Sequence, residues 1–236
     1  MAKYLSLQPL LEAESYTDAV IKGILLDIDG TLVLSNDAHA YSWVDAFAQY
    51  GYEVTFEDVR PLIGMGGDKL IKQIRPELDE SEGIGRKIKE TRSRIFLSDY
   101  VSDLNPTPGS RELVKALRHR SLKTIAASSA SQDELGALLK AAKVEDLLTE
   151  ATTSDDVENS KPDPDIVQVA MDKIGLATGE VLMVGDTPYD IEAARKSGVA
   201  CIAVRCGGWK DQDLSGALAI YDDPTELLQK LSSHLE

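Results

Sequence analysis

The sequence predicts an α/β protein: a doubly wound parallel sheet with an all-helical segment inserted after the first strand. Three observations carry this prediction. Short apolar runs recur at residues 23–26, 122–127, 181–184 and 199–204, with the look of strands buried on both faces. Helix signals alternate with the later runs, the pattern of parallel strands joined by crossover helices. The stretch from residue 36 to about 103 holds no convincing strand and reads as helical. The expected division is a core of residues 1–35 and 104–236 around a helical cap of residues 36–103.

Each element has a local justification. Residues 1–20 form a leader with no assigned role. Asn36 or Asp37 caps a helix with Tyr41, Val44, Phe47 and Ala48 on one stripe, and Gly51 stops it. Thr55 and Asp58 have capping-box spacing ahead of Val59 and Leu62. Gly64-Met65-Gly66-Gly67 interrupts the pattern, after which residues 69–74 and 84–100 read as helices. Pro106-Thr107-Pro108-Gly109 marks the return to the core, where Ser110 opens a helix bearing Leu113 and Leu117. Ser131 and Glu134 form a second capping box, leading Leu135, Leu138, Leu139 and Ala142. A weaker strand follows at 147–152. Asp163-Pro164 and Thr187-Pro188 each place an N-cap before a proline, and the second helix ends at Gly198. A last strand is expected at 217–221.

Bulk properties narrow the partners. A chain of 236 residues can bury a substantial core. Its net charge of −15 argues against nucleic acid or an anionic membrane surface. The two cysteines, Cys201 and Cys206, have no metal-motif spacing and suggest no disulfide framework. No signal peptide or apolar run of membrane-spanning length stands out, so a cytoplasmic monomer or homodimer is expected.

Polar residues follow the apolar runs. Asp27-Ile28-Asp29-Gly30-Thr31-Leu32 comes straight after the first. Two carboxylates so close behind a buried strand repel each other, and neither is desolvated without a cation or a proton. Ser128 and Ser129 follow the second run, and Lys161-Pro162 lies downstream of the weaker strand. Asp186 closes the run at 181–184, with Asp190 four residues later. Ligands of an open parallel sheet bind beyond the carboxyl ends of its strands. Asp27, Asp29, Ser128, Lys161 and Asp186 are therefore expected in one crevice. Each has a plainer reading alone, as a turn, a helix cap or a surface lysine; the ordered set outweighs them. Such a set suits phosphoryl transfer, which needs mainly positioning and charge neutralisation. Mg²⁺ suits it too, preferring about six oxygen ligands.

On these four motifs the chain resembles the haloacid dehalogenase-like (HAD) superfamily, over residues from about 22 to 225. The helical insert resembles that family's C1 cap, as in phosphoglycolate phosphatase and β-phosphoglucomutase relatives. The resemblance implies that Asp27 is a nucleophile forming an aspartyl-phosphate and that Asp29 is its general acid and base. It implies that Ser128 and Lys161 hold the phosphoryl oxygens. Mg²⁺ is implied at Asp27, the Asp29 carbonyl and Asp186, supported by Asp190. Dehalogenases of this family lack the second aspartate, so Asp29 favours phosphoryl chemistry.

The expected activity is therefore Mg²⁺-dependent hydrolysis of a small phosphorylated metabolite, phosphoglycolate or a sugar phosphate. A β-phosphoglucomutase-like phosphotransferase is the alternative. Gly30, Ser129, His39 and Lys69 are candidate substrate contacts, Lys69 reaching a distal anion from the cap loop. The mutases carry an arginine in that loop where this chain has glycine, which speaks for hydrolysis. A receiver domain would be shorter, without a helical insert.

Overall fold

The computed structural model describes residues 5–6 and 20–232. Most of the expected leader, residues 1–4 and 7–19, lies outside the described residues. A short antiparallel pair, β1 (Leu5–Ser6) and β2 (Val20–Ile21), leads into β3 (Gly23–Leu26), whose four residues are all buried. The remaining strands are β4 (Lys123–Ala127), β5 (Ala151–Thr152), β6 (Val181–Gly185), β7 (Ala200–Val204) and β8 (Ala219–Tyr221). They form a six-stranded parallel sheet in the order β5-β4-β3-β6-β7-β8. The chain thus builds outward from β3 to β5, then returns to β6 on the other side of β3. That reversal leaves a crevice above the carboxyl ends of β3 and β6.

Helices cover both faces. On one face α5 (Ser110–His119), α6 (Gln132–Ala141) and α9 (Pro224–Ser232) press Leu113, Leu117, Leu138 and Leu227 onto Ile24, Leu26, Val184 and Ile202. On the other, α7 (Asp165–Ile174) and α8 (Pro188–Lys196) pack Ile166, Ala170 and Ala194 against Leu25, Ile125 and Met183. Alternate residues of one strand feed opposite cores, which is why these strands read as unbroken apolar runs.

Between β3 and β4 lie α1 (Asn36–Gln49), α2 (Phe56–Val59), α3 (Gly67–Ile74) and α4 (Gly83–Ile95). They enclose a third apolar cluster of Trp43, Phe47, Leu70, Ile71 and Ile88. The expected stripe on α1 is turned by one residue: Ala40, Trp43, Ala46 and Phe47 are buried, whereas Tyr41 is 48% exposed. Helix positions three and four apart share a face, and the large Trp43 ring decides which face goes inward. Beyond Ile95 the helix continues as a π turn, Phe96–Tyr100, which brings Phe96 inward.

Other local expectations differ in detail. The Thr55–Asp58 capping box forms as expected; Thr187 takes the N-cap of α8 as expected and, beyond that expectation, closes a box with Asp190. The strand expected at 147–152 shrinks to its last two residues, because Leu147 and Leu148 both donate to the Val144 carbonyl in a helical turn. Pro164, not Asp163, takes the N-cap of α7. Among the described residues no helix is long and apolar enough to cross a membrane.

Candidate active site

Sheet geometry places the acidic residues. The backbone N–H of Asp27 still donates to the Val184 carbonyl at 2.9 Å, so Asp27 leaves the sheet level with the end of β6. Asp186 follows β6 directly, and Asp190 sits on the first turn of α8. Carboxylate oxygens of Asp27, Asp186 and Asp190 all lie within 4.8 Å of one another, and all three residues are buried. Lys161, only 1% exposed, comes from the loop before α7. Its Nζ reaches Asp27 Oδ1 at 2.7 Å, Asp190 Oδ1 at 2.7 Å and the Ala127 carbonyl at 2.6 Å. The Asp27 and Ala127 contacts are hydrogen bonds, and the Asp190 contact is an ion pair that leaves Oδ1 without a hydrogen bond.

One lysine does not balance three buried carboxylates. Burial, with Asp190 beside it, pushes the Asp27 carboxyl up to about 7 despite the Lys161 charge. Burial and the neighbouring Asp27 charge raise Asp186 well above the usual carboxylate range. An all-oxygen donor set short of positive charge fits Mg²⁺. Asp27 and Asp186 could hold the ion. Asp190 Oδ2 accepts from Thr187 N at 3.0 Å and Thr187 Oγ1 at 2.7 Å, while Oδ1 lies against Lys161 without a hydrogen bond. Asp190 also has a carboxylate oxygen within reach of an ion held there.

Asp186 is held by residues to which the sequence reading gave no site role; Asn36, expected to cap α1, is its first helical residue, with Ser35 at the N-cap. Asn36 Nδ2 donates to Asp186 Oδ2 at 2.7 Å and to the Gly207 carbonyl at 3.1 Å. A Cβ on Gly207 would lie 1.7 Å from Asp186 Oδ2, so glycine is required there by close approach. Gly30 has the same function: its φ is +78°, and a Cβ would sit 2.2 Å from both Asp186 Oδ2 and Asn36 Nδ2. Gly30, expected as a substrate contact, lines neither of the cavities described below.

The Asp29 side chain enters a second network. Its Oδ1 accepts from Ser35 Oγ at 2.6 Å and lies 2.6 Å from His39 Nε2. His39 Nδ1 faces Arg92 Nη2. Arginine only donates, so Nδ1 must accept and Nε2 must carry the proton given to Asp29. Burial works to raise the Asp29 carboxyl, but His39 and Ser35 hold it below the usual range. His39 stacks on Phe96 with centroids 3.9 Å apart. Arg92 in turn donates through Nη1 to Glu134 Oε1 at 2.7 Å and Oε2 at 2.8 Å, joining α4 to α6. Ser131 Oγ does accept from Glu134 N at 3.4 Å, but the Glu134 carboxylate turns to Arg92 instead of closing the expected capping box.

Arg92→Met is expected to destabilise the protein by about 3–5 kcal/mol, the usual cost of stranding one partner of a buried ion pair. Glu134 is only 2% exposed and would lose its compensating charge. Adding Glu134→Gln should recover much of that loss in a urea melt. A double variant no more stable than Arg92→Met would count against the pair.

Asp27, Asp29, His39 and Ser129 line a small cavity of about 60 Å³. It adjoins a larger one of about 380 Å³ between the helical insert and the sheet. Ser128 is buried at the end of β4, next to Ala127, and its Oγ accepts from Ala130 N at 3.0 Å. Lys69 is not where the sequence suggested. Its Nζ pairs with Asp163 at 2.8 Å and Asp68 at 3.4 Å, and it lines neither cavity. Nearby carboxylates on α3 and the loop before α7 capture the flexible ammonium.

Residues 24–204 match the family described as haloacid dehalogenase-like hydrolase. The chain belongs to this family. Among its curated relatives, Protein SUPPRESSOR OF QUENCHING 1, chloroplastic, from Arabidopsis thaliana is 33% identical over 189 residues, 78% of this chain. The chain spans only 18% of that relative's length. A Phosphoglycolate phosphatase of Pseudomonas savastanoi pv. phaseolicola is 27% identical, covering 79% of this chain and 70% of its own. Pyrophosphatase PpaX of Bacillus cereus is 30% identical over 78% of this chain and 83% of its own. A solved hydrolase from Pseudomonas syringae superposes on this haloacid dehalogenase-like chain with a TM-score of 0.83 and 28% identity, covering 91% of this chain and 99% of that one.

Proposed function

We propose that the chain is a Mg²⁺-dependent phosphatase that hydrolyses a small phosphomonoester through an aspartyl-phosphate on Asp27. The observation that carries this reading is the Asp27 carboxylate itself. It opens on a cavity, is oriented by Lys161, and sits beside Asp186 in a cluster short of positive charge. The phosphatase names among the relatives support it.

In this reading Asp27 attacks phosphorus, with Lys161 neutralising charge on Asp27 and the phosphoryl oxygens. Ser128 and Ser129 receive those oxygens. Asp29, ionised in its present contacts, takes up a proton as the phosphate dianion arrives beside it, gives it to the leaving oxygen, and then takes a proton from the water that frees phosphate from Asp27. Its present grip on Ser35 and His39 keeps it beside the cavity and fixes the angle from which it acts. Bound by Asp27, Asp186 and the Asp29 carbonyl, Mg²⁺ would reduce the repulsion between Asp27 and the phosphate. Residues 36–103 act as a cap that limits water at the site. With Gly67 at the cavity and Lys69 held by Asp163, nothing in the cap loop grips a second phosphate, so release rather than transfer is favoured.

Chelation should abolish phosphate release, Mg²⁺ should restore it, and Ca²⁺ should not, because calcium takes more ligands at longer distances. Mg²⁺ should also raise the melting temperature. Asp186→Ala should raise the Mg²⁺ needed for half-activity by at least about tenfold. Full turnover in excess chelator would reject the metal assignment.

A further inference from the structure

The larger cavity carries information about the leaving group. It continues from the Asp27–Asp29 pocket past Trp43, Gly67, Arg92 and Ser129, which line both spaces. Its volume of about 380 Å³ is within the ~300–1,000 Å³ usual for small-molecule sites. That is more room than a two-carbon leaving group fills.

Its charges are unevenly matched. Three basic side chains line it, and each is already neutralised. Arg86 pairs with Glu90 at 2.8 Å, Lys89 with Glu80 at 3.0 Å, and Arg92 with both oxygens of Glu134. The lining holds three further carboxylates: Asp68, Asp155 and Glu158. Asp68 shares Lys69 with Asp163, and Glu158 has no ion-pair partner among the described residues. Glu80 Oε2 is buried there without a hydrogen-bond partner. Six serine hydroxyls complete the polar lining. Such a surface accepts hydrogen bonds readily, and each lining cation among the described residues already has a carboxylate partner, Arg92 Nε being the one buried cationic donor left without an acceptor.

We propose that this cavity selects phosphomonoesters whose leaving group presents hydroxyl or ammonium donors and carries no second anion. The inference rests on the phosphatase reading and refines it. A carboxylate or second phosphate on the leaving group would lose water beside surplus negative charge with nothing to compensate. Hydroxyls and ammonium groups would instead satisfy the exposed carboxylates of the lining, Asp155 and Glu158. Phosphoglycolate, with its carboxylate, is disfavoured on these grounds.

Two matched series test this with the wild-type chain and Mg²⁺, reading kcat/KM for phosphate release. One series is glucosamine 6-phosphate, glucose 6-phosphate and 6-phosphogluconate; the other is phosphoethanolamine against phosphoglycolate. p-Nitrophenyl phosphate reports whether the chain is a phosphatase at all. The anionic member of each series should be poorer by about tenfold or more, chiefly through KM. The exposed substitution Glu158→Lys should narrow that gap. Equal or faster hydrolysis of 6-phosphogluconate and phosphoglycolate overturns the inference and leaves the phosphatase reading standing. So does phosphate release from p-nitrophenyl phosphate alone, or a gap that Glu158→Lys leaves unchanged. Failure with every compound, p-nitrophenyl phosphate included, removes the phosphatase reading and this inference with it.

Discussion

Asp27→Asn is expected to abolish phosphate release, by a factor on the order of 10⁴ or more, while leaving the chain folded. An amide cannot attack phosphorus, and among the described residues no other carboxylate shares both its position at the cavity and its contact with Lys161. The same change should stabilise the metal-free protein. Burial raises the folded Asp27 carboxyl from its ordinary 3.8 to about 7. Below pH ~4 it is protonated in both the folded and unfolded states, and its ionisation then has no effect on stability. Between pH ~4 and ~7 the unfolded chain ionises first, so the parent loses stability as pH rises; above ~7 the whole cost persists. Asparagine carries no such cost. In the presence of chelator the variant should therefore melt above the parent at neutral and alkaline pH, with the gain fading toward pH ~4. Equal melting temperatures across that range would mean that the Asp27 carboxylate is compensated after all. Undiminished turnover would reject Asp27 as the nucleophile.

Lys161→Met should have the second large effect, on stability and activity together. Burial works against the Lys161 ammonium, yet Asp190 and Asp27 hold it above the usual lysine range. Methionine fills a similar volume but leaves both carboxylates buried with no counter-charge. Removing one partner of such a group costs about 3–5 kcal/mol. Phosphate release should fall by about 10²–10³, the scale for losing one stabilising donor at a reacting anion. Urea melts with and without Mg²⁺ separate the causes: added Mg²⁺ should recover part of the stability but little of the rate. An unchanged melt in chelator would show that Lys161 does not balance the cluster.

The parts of the site that could be read from the residues share one physical property. Asp27 and Asp186 lie at the ends of unbroken apolar runs, and such runs in this pattern become adjacent parallel strands. Their ends must then meet, whatever the side-chain packing elsewhere. The six-stranded sheet, the helices between its strands and the capping boxes at Thr55 and Thr187 follow from equally local rules. Lys161 and Asp190 come from loop and helix segments tied closely to those strand ends.

Other features depended on distant partners. Arg92 and Glu134 are 42 residues apart on different helices, and Glu134 looked fully used by its capping box. Lys69 looked free until Asp163, from a loop in the core, was folded against it. The buried face of α1 shifted by one residue to admit Trp43, and Gly207 gained its importance only when Asp186 was brought against it. What the sequence by itself determined was the order of strands and helices and the polar residues set at the strand ends, because hydrophobic period and chain adjacency are local properties. What only the tertiary structure decided was how side chains on separate helices pair, which set the Asp29–His39–Arg92–Glu134 chain and the charge of the larger cavity. A long charged side chain has many reachable partners, and only packing selects among them.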